Sequence, residues 1–168
     1  IQSIVEAVKE VELDLEKEII IIDDCSKDGT SELLKGIDAD YVSRLVDAFY
    51  GRIRADALLG PIFAERITDW DWHLDRMKRF WRSILHNSGE FSGNPMAKHL
   101  AIPGLEERHF AHWLDLFYAT LRDLESDPLA TAEVGKRARM IADSLLTGIA
   151  MQSGGLSGAR AGENLPHV

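Results

Sequence analysis

Between residues 38 and 149 apolar side chains return every three or four positions, the period of helices that bury one face. Val42, Leu45, Val46, Phe49, Tyr50 and Ile53 make the first stripe, and Leu58-Leu-Gly-Pro-Ile-Phe63 turns the chain, with Gly60-Pro61 as the breaker. A second stripe, Trp70, His73, Met77, Trp81 and Leu85, predicts a helix from about Asp69 to Leu85. The loop Gly89-Glu-Phe-Ser-Gly-Asn-Pro95 then introduces a short helical turn bearing His99, ended by Ile102-Pro103-Gly104. Phe110, Trp113, Leu114, Phe117, Leu121 and Leu124 predict a helix from about Glu106 to Glu125, which Asp127-Pro128 breaks. Val134, Ala138, Ile141, Ala142, Leu145 and Ile149 predict the last, from about Thr131 to Ile149.

The ends of the chain have a different pattern. Ile4, Val5, Val8 and Val11 share a helical face, and Glu18-Ile-Ile-Ile-Ile22 reads as a buried strand ending in Asp23-Asp24. Cys25-Ser-Lys-Asp-Gly29-Thr30 has turn chemistry, with Thr30 capping a short helix through Leu34. After Ser153, Gly-Gly-Leu-Ser-Gly-Ala-Arg-Ala-Gly is too poor in apolar groups to order itself, which predicts a flexible tail. The expected organisation is therefore a short α/β fragment over 1–36, a mainly α domain over 37–152 and a tail over 153–168.

Charge supports the first boundary. Residues 1–37 hold 10 acidic and 4 basic side chains, a net −6, whereas 38–168 hold 18 and 15, a net −3. All 13 aromatic residues and all six histidines follow residue 37. The total of −9 disfavours nucleic acid, because counterion release rewards clustered Lys and Arg. No apolar run approaches the ~20 residues of a membrane span, and the single cysteine, Cys25, fits a reducing compartment, so a soluble cytoplasmic protein is expected. With 168 residues at 45% hydrophobic, the chain suffices for one well-packed domain.

Candidate chemistry lies on the helical stripes. His73 and His99, with Trp113 on another amphipathic helix, could line a pocket around a flat iron cofactor. Each residue also has a plainer reading. A histidine on an apolar face can be a satisfied core residue, and Tyr50 can pack its ring while its hydroxyl finds a partner.

Five blocks carry a resemblance: Ser43-Arg-Leu-Val-Asp-Ala-Phe-Tyr50, Leu58-Leu-Gly-Pro-Ile-Phe63, Asp69-Trp-Asp-Trp-His73, Asn94-Pro-Met-Ala-Lys-His99-Leu and His112-Trp-Leu-Asp-Leu-Phe117. In this order they resemble group III truncated haemoglobins over about residues 37–152. The resemblance implies a truncated globin, a two-over-two helical sandwich around one haem b. It implies that His99 is the proximal iron ligand and that Tyr50 and Trp113 are distal hydrogen-bond donors, with His73 as the distal histidine. Phe63, Met77 and Trp81 are then expected against the porphyrin or the pocket wall. Lys98 is expected either at a haem propionate or solvated. O₂, NO or other small haem ligands follow as partners. Two donors imply slow O₂ release, which favours redox or detoxification chemistry over O₂ delivery: NO dioxygenation or peroxidase-like activity, with an external electron donor.

A second, shorter likeness covers residues 1–35, where Glu18-Ile-Ile-Ile-Ile-Asp-Asp-Cys-Ser-Lys-Asp-Gly-Thr30 resembles the nucleotide-sugar segment of family-2 glycosyltransferases. It implies a nucleotide contact at Asp24. The rest of that site is missing, so this piece reads as a non-functional fragment. The competing functions are a fragment of a nucleotide-sugar glycosyltransferase and a non-haem helical interaction module in which Tyr50, His73, His99 and Trp113 merely pack.

Overall fold

Asp38 opens the helical body. In the computed structural model its carboxylate accepts the Tyr41 N–H at 2.8 Å and caps α1, Ala39–Ala55. The described residues are 34, 36–124, 126–154 and 160–168. The helix, strand and loop expected before residue 34, with Asp24 and Cys25, lie outside them.

Every residue of the first predicted stripe is buried in α1, from Val42 to Ile53. The predicted turn at Gly60-Pro61 is itself a short helix, α2, Gly60–Ala64. Proline is suited to a first helical turn because its missing N–H has no partner there anyway. Gly60 lies against the end of α1: a Cβ would stand 3.2 Å from the Ile53 carbonyl oxygen and 3.3 Å from that of Arg54. Helix α3, Trp70–His86, starts at Asp69, which accepts the Trp72 N–H at 3.0 Å, and stops at Asn87, whose φ of 52° is left-handed.

Asn94 accepts the Ala97 N–H at 2.9 Å and Pro95 fills the first turn of α4, Pro95–Leu100. Helix α5 spans Glu107–Asp123 and α6 spans Pro128–Gly154. The last helix begins earlier than Thr131 because Asp127 accepts the N–H groups of Leu129 and Ala130 at 2.9 and 3.1 Å, ahead of which Pro128 enters without a donor to satisfy.

The long helices form two layers. Helix α1 packs on α3 and α5, α5 packs on α6, and α4 lies on α6, so that one helix pair lies over another. All regular elements among the described residues are helices. Phe49, Leu45 and Ile53 meet Leu114, Phe117 and Leu121 where the layers join, all fully buried. Each such side chain contributes roughly 1.5–3 kcal/mol through burial. Among the described residues no helix is long and apolar enough to cross a membrane.

Both ends of this body differ from the sequence pattern. Leu34 and Ile37 are buried in the same core, and the Leu34 carbonyl accepts the Ile37 N–H at 2.9 Å. The packed unit thus reaches at least to Leu34, inside the segment expected as a separate fragment. At the other end residues 160–168 return to the helices. Leu165 is buried, Tyr118 donates its hydroxyl to the Pro166 carbonyl at 3.0 Å, and Arg139 donates to the carbonyls of Leu165, Gly162 and Glu163. These bonds hold backbone to side chain, so no apolar periodicity announces them.

Candidate functional site

The stripe of α3 is not evenly buried. Trp81 and Leu85 are sealed in the core, whereas Trp70, His73 and Met77, nearer its amino end, are half-open. An aromatic group gathers over that open end. Tyr50 and His73 meet edge to face at 5.1 Å, Trp70 lies 5.8 Å from His73, and Phe63 from α2 stands 5.9 Å from Tyr50.

Burial decides the protonation of this group. It raises the Tyr50 phenol well above its ordinary value, so the hydroxyl stays a donor. Burial, and then the nearby Arg76 guanidinium, lower the His73 imidazole below its ordinary value. Nε2 of His73 is buried without a hydrogen-bond partner among the described residues. Such an orphan costs roughly 1–3 kcal/mol, which marks a place where a further group is accommodated.

Trp113 sits next to this cluster through one intermediary. Phe49 meets Tyr50 at 5.2 Å and Trp113 at 5.1 Å, both edge to face. Trp113 stacks on Phe117 at 5.2 Å, and Trp81 stacks on the same ring at 4.9 Å. Trp81 is thereby a core residue behind the site, 2% exposed, while Trp113 is half-buried.

His99 stands apart, on α4, with its ring 6.4 Å from that of Phe110. Its Nδ1 lies 2.7 Å from the Pro95 carbonyl oxygen, an acceptor, so Nδ1 is the donor and the lone pair of the neutral ring is on Nε2. This is the arrangement that orients a histidine for a metal. Met96 of α4 lays the flexible end of its side chain over Gly148 of α6. The neighbouring Lys98 is exposed. No group of three or more His, Cys, Asp or Glu side chains converges among the described residues. A metal at His99 would therefore need its other donors from a carrier, which a planar macrocycle supplies. The oriented ring of His99 fits the one protein donor that such a carrier leaves to be supplied.

The comparisons bear on the same residues. No family model matches the chain. The group 3 truncated haemoglobin ctb of Campylobacter jejuni is 32% identical over 110 residues, spanning 63% of this chain and 86% of that protein. The chain belongs to the group III truncated haemoglobin family. The crystal structure of a group III truncated haemoglobin from Campylobacter jejuni is similar in fold, with a TM-score of 0.61 at 31% identity, covering 66% of this chain and 90% of that one. Nothing in these matches supports the glycosyltransferase likeness of residues 1–35.

In this truncated haemoglobin the structure brings Tyr50, Phe63 and His73 into one cluster and links Trp113 to it through Phe49. Sequence reasoning passed over three participants. Trp70 borders both Tyr50 and His73, Phe110 backs His99, and Arg76 sets the charge beside His73. Trp70 and Phe110 were visible as stripe residues, but periodicity marks a face and not which ring on it borders a pocket. Arg76 lies off the stripe.

Proposed function

We propose that the chain binds one haem b through His99 and holds a diatomic ligand, O₂ or NO, with Tyr50 and Trp113. The observation that carries this reading is the hydrogen bond from His99 Nδ1 to the Pro95 carbonyl, which leaves Nε2 available as the proximal ligand. Haem, when bound, supplies the iron at which small ligands and electrons meet.

The chain's own groups do the rest. The Tyr50 hydroxyl and the Trp113 indole N–H donate to the ligand, in a site whose low polarity strengthens each bond. His73, neutral and without a protein partner on Nε2, guards the open end. Phe63 and Met77, both half-buried and packed on the core, would border the haem, with Trp81 behind them in the core. Lys98 is free in solvent to meet a propionate. If each donor contributes ~1.5–3 kcal/mol in the bound state and nothing at escape, ligand loss slows roughly tenfold or more per donor. Slow loss suits redox or detoxification chemistry, NO dioxygenation or peroxide activation, and requires an external electron donor. The lone Cys25 is in keeping with a cytoplasmic setting.

A non-haem interaction module would leave the buried His73 nitrogen and the oriented His99 without a reason. Titrating the full chain with haem tests the choice. A 1:1 end point with a ferrous spectrum that responds to carbon monoxide supports the proposal, and unsaturable, weak uptake contradicts it.

A further inference from the structure

Asp56 carries more bonds than the end of a helix requires. Its Oδ1 accepts the N–H groups of Leu58 and Leu59 at 2.9 and 2.8 Å, and its Oδ2 accepts from Nε2 of His112 at 2.7 Å. Its backbone N–H donates to the Ile53 carbonyl and its carbonyl accepts the Gly60 N–H at 3.0 Å. Burial opposes the charge of this carboxylate, but the bonds from His112, Leu59 and Leu58 outweigh it and hold the group below its ordinary value. One residue therefore fixes where α1 ends, where α2 begins and how far α5 stands from both.

The two partners flank the ligand donors. His112 immediately precedes Trp113 on α5, and Asp56 follows Tyr50 by less than two turns of chain. Phe49 touches both donor rings, so their spacing follows the separation of α1 and α5. Beyond the aromatic stack, Arg52 ties the same helices through Thr120 at 3.2 Å and through Asp123. The stack is thus held between two clamps. The Arg52 clamp lies toward the far end of α5, and the Asp56–His112 clamp lies beside Trp113.

We propose that Asp56 and His112 are positioning residues that set the spacing between the Tyr50 hydroxyl and the Trp113 indole N–H. This rests on the reading that those two groups hold the diatomic ligand. His112 itself donates from Nε2 in either its neutral or its charged form, so the clamp needs only that Asp56 remain a carboxylate. Loss of the His112 donor frees α5 at Trp113 and leaves the turn at Asp56 held by Leu58 and Leu59.

The test compares His112→Ala with His112→Gln, whose amide retains an N–H donor. In the haem-loaded full chain, His112→Ala should speed O₂ dissociation roughly three- to tenfold, as loss of one well-placed bond would, and shift the C–O stretch of carbon monoxide added as a probe. In the unloaded chain it should move the Trp113 indole N–H resonance. His112→Gln should restore all three. A His112→Ala protein that melts lower yet keeps its dissociation rate, C–O stretch and indole resonance would show that the pair only stabilises the fold. Failure of the unmodified chain to take up haem overturns the reading of function instead, and an unmoved indole resonance then rejects the clamp on its own.

Discussion

The rings of Tyr50 and His73 meet edge to face, 5.1 Å apart and 84° from parallel, bringing the carboxyl-terminal half of α1 against the amino end of α3. The contact joins a phenol that burial keeps protonated to an imidazole that burial keeps neutral. One side of the pair is a fixed donor. The other is a nitrogen, His73 Nε2, with no partner among the described residues.

Tyr50→Phe and Trp113→Phe should each speed O₂ dissociation by roughly tenfold, because each removes a donor and keeps an aromatic body. Phe49 couples the two rings, so the double variant should depart from additivity. Stopped-flow rates equal to those of the unmodified protein would remove both residues from the ligand site.

His73 predicts a pH dependence. Its folded value lies below the unfolded one of about 6.5, so the unfolded chain binds its proton first as pH falls. The contribution of His73 is fully present above that pH and is lost as pH drops through the folded value. Denaturant midpoints of the haem-free chain should therefore fall more steeply as pH drops below about 6.5 than those of His73→Leu. Parallel curves would mean that the imidazole is not desolvated.

Phe117 stacks with Trp113 and with Trp81 and is fully buried. Phe117→Ala should cost about 3–5 kcal/mol, measured by denaturant unfolding, and loosen Trp113 at the same time. A loss below about 1 kcal/mol would show that the two indoles close over the cavity.

Much of this arrangement was legible in the chain. The stripe on α1 is a local signal and all six of its residues are buried, whereas the caps at Asp38, Asp69 and Asn94 are findings of the structure. The ends were less legible. Leu34 joins the core through a turn, and Arg139 binds the carbonyls of Leu165, Gly162 and Glu163, across more than twenty residues of chain. Long-range bonds of side chain to backbone leave no period to read. The same limit hid the Asp56–His112 pair, whose members are 56 positions apart.

The buried Leu34 also predicts where the chain can be shortened. A protein that begins at Leu34 should keep its fold and take up haem, while one that begins at Asp38 also loses Ile37 and should be less stable by about 2–5 kcal/mol or more. Thermal melts of the two decide it. Equal melting temperatures would place the boundary after Ile37.

The most direct measurement is the ferrous spectrum of His99→Gly, recorded with and without added imidazole, beside that of His73→Leu. Ligation through His99 predicts that the glycine variant loses the native spectrum and that imidazole restores it, while His73→Leu retains haem. A glycine variant with an unchanged spectrum, together with loss of haem from His73→Leu, would contradict the assignment and put the proximal ligand on α3.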